Sequence, residues 1–349
     1  MKRLVLVTAF VAVLAVVLST PGCTRVEAVP QLKIYTWADY FAPELLKRFE
    51  KEHHCMIVID TFESNEAMYA KLKAGATGYD LITPSSYFVK VMQGQKMLQA
   101  LDHAKLPNLK HVDADYLKIA MDKPMQHSVP YMLTNSGIAY LKSKVKDFLP
   151  SWKVFEREDL KGRMTMLADM RETLGAALKA LGYSLNTRDD TQIAAARDLV
   201  IKWKKNLAKF ESEQYKTGLA SGEFVAVHGY SGDLLQVQKE NKDVLFVVPA
   251  EGTSVSCDDL VIPTGSKQVA LAHAFINFLH DPDVAAENTN FLSYVCPNST
   301  SYPKIDAAIR DNPAVFLAPE LRAKCEVIDD LGDDTAKYTK AWDAIKAAE

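Results

Sequence analysis

The sequence predicts an α/β chain folded as two domains, and three observations carry that reading. Short apolar strands alternate with amphipathic helices, the pattern of sheets with helices packed on their faces. The alternation starts at residue 32, breaks off, and resumes near residue 163, so two α/β units are present. Beyond the first 23 residues about 326 remain, more than one compact core usually serves.

The chain opens with Lys2 and Arg3, an apolar run from Leu4 to Leu18, and small residues from Ser19 to Gly22 before Cys23. This is the layout of an export signal, and its apolar run is shorter than the ~20 residues that cross a bilayer as a helix. Cys23 at the cleavage point resembles a lipoprotein signal, in which the cysteine is acylated, although Thr20 stands where such signals usually carry Leu. Leu32 to Thr36 then reads as a strand and Pro43 to His53 as a helix. His53 and His54 sit in its last turn, where they suit the helix dipole and carry no chemical role. Met56 to Thr61 is a strand, Asn65 to Lys73 a helix and Asp80 to Thr83 a third strand. In the second unit, Arg163 to Leu167 is a strand, followed by helices at Glu172 to Leu181 and Ile193 to Lys205 and a strand at Phe224 to Val227. Leu260 to Pro263 is a further strand, Val269 to Leu279 a helix, and Thr335 to Ala348 a closing amphipathic helix.

Composition narrows the function. Without Lys2 and Arg3 the chain holds 39 basic and 44 acidic side chains, a net of −5, which argues against a nucleic-acid partner. After the first 23 residues no apolar run approaches membrane-spanning length, so any membrane contact is expected through the lipid alone. No G-x-S-x-G elbow, HExxH, P-loop or GxGxxG occurs, so an enzyme is not expected, nor a cofactor. Cys55, Cys257, Cys296 and Cys325 show no CxxC and no histidine at ligand spacing, so no metal site is expected. In an exported protein Cys257 and Cys296 are the pair to consider for a disulfide, against four thiols packed as small hydrophobes.

Ligands of open α/β sheets sit beyond the carboxyl ends of the strands. After the first strand come Trp37, Asp39 and Tyr40; after the third, Ser85, Ser86 and Tyr87; after Leu167, Asp169, Arg171 and Glu172. After Val227 come Tyr230 and Asp233, and beside the LVIP strand stand Asp258 and Asp259. Aromatic rings and carboxylates recur together, a set suited to an elongated cation whose methylenes lie on the rings and whose ammonium groups reach the acids. Each residue alone has a plainer role: Asp169 or Glu172 caps a helix, Ser85 is a cap, and Tyr87 covers an edge.

The stretches IYTWADYFAPELLKRFEKEH, DTFESNEAMYAKLKAG, YDLITPSSYFV, LADMRETLGAALKALGYS, DDLVIPTGS and INFLHDPDVA make the chain recognisable. It resembles the periplasmic spermidine/putrescine-binding proteins of bacterial polyamine ABC transporters, from about Leu32 to Lys346. That resemblance implies a two-lobed periplasmic binding protein fold of type II with a ligand cleft between lobes joined by a hinge. The hinge crossings are expected near Pro130 to Asn135 and Val255 to Asp258, with a return near Ser301. The implied division is a signal over 1–22, an anchor and linker over 23–31, one lobe of 32–132 with 257–301, and another of 133–256 with 302–349. The resemblance also implies a periplasmic monomer that hands its amine to an inner-membrane ABC permease.

Site residues carry over singly. Trp37 and Tyr40 match the family's first aromatic pair and Asp39 the acid between them; Ser85 and Tyr87 match its P-S-x-Y turn. Asp169 and Glu172 match its D-x-x-E motif, Ser212 a site serine, Asp258 the acid before L-x-I-P, and Tyr294 a tyrosine of the returning lobe. Three positions depart or specialise. Tyr230 stands where relatives usually place tryptophan, Ser256 at an aromatic position, and Ile328 in place of a glutamine that holds the far amine. Asp233 in YSGD looks like the W-x-G-D of putrescine-selective members, so putrescine is expected to bind better than spermidine. Another small solute on the same fold is the alternative. Asp39, Asp169, Glu172, Asp233 and Asp258 would outnumber the charges of a diamine, and Arg171, water or a raised carboxyl pKa is expected to absorb the excess.

Overall fold

The computed structural model describes residues 29–117 and 120–348; the expected export signal and Cys23 lie outside them. Strand β1 (Gln31–Thr36) lies parallel between β2 (Met56–Thr61) and β3 (Leu81–Ile82). Further along the chain come β4 (Ser128–Leu141), β5 (Met164–Met166), β6 (Leu207–Phe210), β7 (Ala226–Tyr230), β8 (Val244–Val247), β9 (Ser254–Val261) and β10 (Glu326–Val327). The hydrogen-bonded order is β2-β1-β3-β9-β4-β7-β5-β6, with β8 on β4 and β10 on β9.

The outer strands pair in parallel, as the alternating pattern predicts, but the middle of the sheet does not. Between the two parallel groups, β4 lies antiparallel to β9 through its first half and to β7 and β8 through its second. No strand is predicted over 128–141, where Pro130 and Gly137 are residues that disfavour strand pairing. The sheet absorbs them: the register shifts between Pro130 and Met132, so the missing N–H falls at an irregularity. Gly137 is required where it stands, since a Cβ there would lie 2.6 Å from the Val247 carbonyl oxygen.

Two cores flank this crossing pair of strands. In the first lobe Leu32 and Ile34 pack with Leu45, Phe49, Phe275 and Ile276, while Tyr35 on the opposite face of β1 packs with Met68, Val89 and Met92. The period of two along β1 thus places a helical layer on each face. In the second lobe Ile138, Met164, Met166, Leu174, Trp203, Val227 and Tyr338 form one buried cluster.

Most helix limits follow local chemistry. Pro43–His53 begins on its proline and ends on His54, which turns into the left-handed region. Asp169, Asp189 and Asp281 cap the helices Met170–Ala180, Asp190–Lys204 and Pro282–Leu292 through their carboxylates. The LVIP strand is the end of a longer one, β9, and the Phe224 to Val227 strand starts two residues later, at Ala226. All four described cysteines are free thiols: Cys55, Cys257 and Cys296 are buried and Cys325 half-buried.

Candidate functional site

A cavity of about 390 Å³ opens between the two lobes at the strand ends. Trp37, Asp39, Tyr40, Ser85, Tyr87, Asp258 and Tyr294 line it beside the first core, and Asp169, Glu172, Ser212, Tyr230 and Asp233 beside the second. These residues reach one space together with Ser256 and Ile328, whereas Ser86, Arg171 and Asp259, also named at the strand ends, do not line it.

Strand geometry separates the two neighbouring acids of β9. On β9 Ser256 and Asp258 face the cavity, whereas Asp259, one residue on, points away and accepts from Ser86 Oγ and Ser128 Oγ, each at 2.7 Å. Ser85 precedes the helix Ser86–Gly94, but its hydroxyl caps nothing; it donates to Asp258 Oδ1 at 2.6 Å. Tyr40 Oη donates to Asp258 Oδ2 at 2.5 Å, so both oxygens of that carboxylate are aimed by hydroxyls. Asn65 holds Ser85 in turn, accepting from its N–H and donating to its Oγ, both at 3.0 Å, and donates to Tyr87 Oη at 3.3 Å. Trp37 meets Phe62 edge-on at 4.4 Å between centroids, and its indole N–H is buried without a partner. Asp39 takes a left-handed backbone, φ 52°, at the rim.

On the facing lobe Asp169 does two things at once. Its carboxylate accepts from the N–H groups of Arg171 and Glu172, fixing the helix start, while it lines the cavity. Glu172 accepts from Ser254 Oγ at 2.6 Å. Ser212 Oγ accepts from the Ala168 N–H, tying the loop before the helix. Asp233 accepts from Tyr215 Oη at 2.5 Å.

The acid is heavily shielded from water. Burial lifts Asp258 to about 6 against the opposing hydroxyl bonds, and burial with the adjacent Asp169 charge lifts Glu172 to about 7. Burial raises Asp169 as well. Arg171, a candidate for absorbing this charge, turns away: it donates to the Asp329 carbonyl and Asn186 Oδ1 and lies over the Tyr338 ring. It eases the two carboxyls only through space, and burial outweighs it.

The model of the bacterial extracellular solute-binding protein family matches residues 44–317, most of the chain. This chain belongs to that family. Among its relatives, the putrescine-binding periplasmic protein SpuD of Pseudomonas aeruginosa is 33% identical over 95% of this chain and 96% of its own length. The putrescine-binding periplasmic protein PotF of Escherichia coli is also 33% identical, over 91% of this chain and 92% of its own length. Among solved structures, a putative spermidine/putrescine ABC transporter protein of Listeria monocytogenes superposes with a TM-score of 0.86 at 31% identity, covering 91% of this chain and 99% of that one. The TpPotD lipoprotein of Treponema pallidum superposes at 0.81 with 35% identity, covering 90% of this chain and 99% of that one.

In this solute-binding protein the cavity includes groups that strand-end reasoning missed. Asn65, Phe62, Ala38, Thr134, Glu213 and Lys216 also line it. Asn65 reads in sequence only as the start of a helix, but Ser64 takes the capping role and frees Asn65 to reach Ser85. Lys216 sits on the short helix Tyr215–Ser221, an element the sequence pattern did not announce, and its ammonium is the one sign of charge not sought in a cation site.

Proposed function

We propose that this protein is the substrate-binding component of a polyamine ABC importer, capturing putrescine, and spermidine less well, in the cleft between its lobes. The convergence of aromatic rings and carboxylates from both lobes on one cavity carries the reading. Trp37, Tyr87, Tyr230 and Tyr294 supply rings for a methylene chain, while Asp258 on one side and the Asp169/Glu172 pair on the other supply acceptors for two ammonium groups. Both ends of such a ligand are then held by different lobes, so the diamine favours the closed arrangement. Closing the cleft empty would bury unpaired carboxylates at several kcal/mol each, which opposes closure without ligand.

The setting follows from the same proposal. The names of the relatives place them in the periplasm and in ABC transport, and one solved relative is a lipoprotein. By that likeness the protein works in the periplasm as a monomer, held at a membrane by acylated Cys23, and delivers its ligand to an inner-membrane permease. The lobes are proposed as 32–132 with 257–301 and 133–256 with 302–349, which puts the crossing near the middle of β4 and in β9.

Calorimetric titration of stripped protein with putrescine, spermidine, an amino acid and a sugar tests the function. Saturable one-to-one binding of the amines alone is expected. Asp258→Asn, which keeps an acceptor for one hydroxyl but removes the charge, is expected to weaken putrescine by more than ~1.5 kcal/mol, about tenfold. No heat with either amine would overturn the assignment, and unchanged affinity in the variant would remove Asp258 from the site.

A further inference from the structure

Lys216 is the one basic residue among those that line the cavity, beside the acids Asp39, Asp169, Glu172, Glu213, Asp233 and Asp258. Its ammonium nitrogen lies 3.5 Å from Asp233 Oδ1 and 3.9 Å from Asp39 Oδ2. The other oxygen of Asp233 is occupied by Tyr215 Oη. The carboxylate that the YSGD motif offers to a ligand is thus engaged on both sides by the protein's own groups. The lysine is no solvent-exposed arm: its side chain keeps only 27% of its exposure, and that of Asp233 only 22%.

The remaining acids fall into two separate places. Asp258 stands with Tyr40 and Ser85 on the first lobe, and Asp169 stands with Glu172 on the second. With Lys216 balancing Asp233, and Asp39 and Glu213 open to water, the interior is left with two acidic places, one on each lobe. Two is the charge of a diamine. A triamine brings a third ammonium, and the position where a further acid could receive it already holds one.

We propose that Lys216 acts as a tethered ammonium that fills the third cationic position of the cleft and thereby sets the preference for diamines over triamines. The proposal rests on the polyamine reading above and names the residue that sets its selectivity. Removing the lysine frees Asp233 and leaves one more buried negative charge, which a third ammonium can satisfy and a diamine cannot. Substitution by arginine keeps the charge and the reach to both acids.

The test is titration of wild-type, Lys216→Met and Lys216→Arg proteins, each stripped of amine and checked for its melting temperature, with putrescine and spermidine. Lys216→Met is expected to raise the spermidine-to-putrescine affinity ratio about tenfold or more, and Lys216→Arg to leave it within about threefold of wild type. In the Met background, Asp233→Asn is expected to return the ratio toward wild type, an effect that mere loosening of the helix would not produce. If Lys216→Met binds both amines with the wild-type ratio, the lysine does not set selectivity and the proposal fails while the polyamine reading stands. If wild-type protein binds neither amine, the polyamine reading fails and this proposal with it.

Discussion

Asp258, Asp259 and Glu172 are carboxylic acids lifted to about 6, 6 and 7 by burial, against about 4 for the free groups. The folded protein therefore keeps protons that the unfolded chain has already released. Their contribution to stability is full below the free values and is lost as pH rises toward the folded ones, so the unliganded protein grows less stable across that range. A bound diammonium favours the ionised forms of Asp258 and Glu172 and reverses the cost. Thermal unfolding of stripped protein is expected to show a lower Tm at pH 8 than at pH 5, and putrescine is expected to raise Tm more at pH 8. An equal ligand-induced shift at both values would mean that these acids are ionised throughout. At this scale the sequence speaks through recurrence and not through any single residue, because each ring or acid alone has a plainer role while their repetition at strand ends has few other reasons. Asp169 shows why a plain role and a functional one need not compete: its oxygens cap a helix and line the cavity together.

Element boundaries depend on neighbours that periodicity cannot see. The helix Ser231–Glu240 follows Tyr230 without a side-chain cap and went unpredicted, although its first turn carries Asp233. Its packing explains Gly232, where a Cβ would lie 2.5 Å from the Tyr294 ring. That ring is buried among Tyr40 and the first core, so it has little room to yield. Gly232→Ala is expected to destabilise the protein by about 1–3 kcal/mol and, by shifting Tyr294, to weaken putrescine binding as well. Chemical denaturation together with titration checks both; a loss of stability with unchanged affinity would separate Tyr294 from the ligand. Strand β4 is the larger miss at this scale. Its 14 residues include a proline and a glycine that argue locally against a strand, and pairing on both edges overrides them.

For the whole molecule, β4 is a continuous element that contributes to both cores, with Val129, Tyr131 and Met132 in the first and Ile138, Ala139 and Leu141 in the second, and it pairs with β9 along its first half. Because empty closure buries acid, small-angle scattering of stripped protein is expected to show a larger radius of gyration than the same protein with saturating putrescine; identical values would mean that binding proceeds without closure. The alternation of strands and helices, the crowding of acids and rings at strand ends, and the capping residues were determined by the sequence itself, since each rests on local spacing and side-chain chemistry. Only the tertiary structure decided that Asp258 is aimed by Tyr40 and Ser85, that Arg171 turns away from the acids beside it, and that Lys216 reaches in from a short helix. Those outcomes depend on strand register and on contacts between residues far apart in the chain, such as Tyr40 with Asp258 and Lys216 with Asp39, which no local pattern encodes.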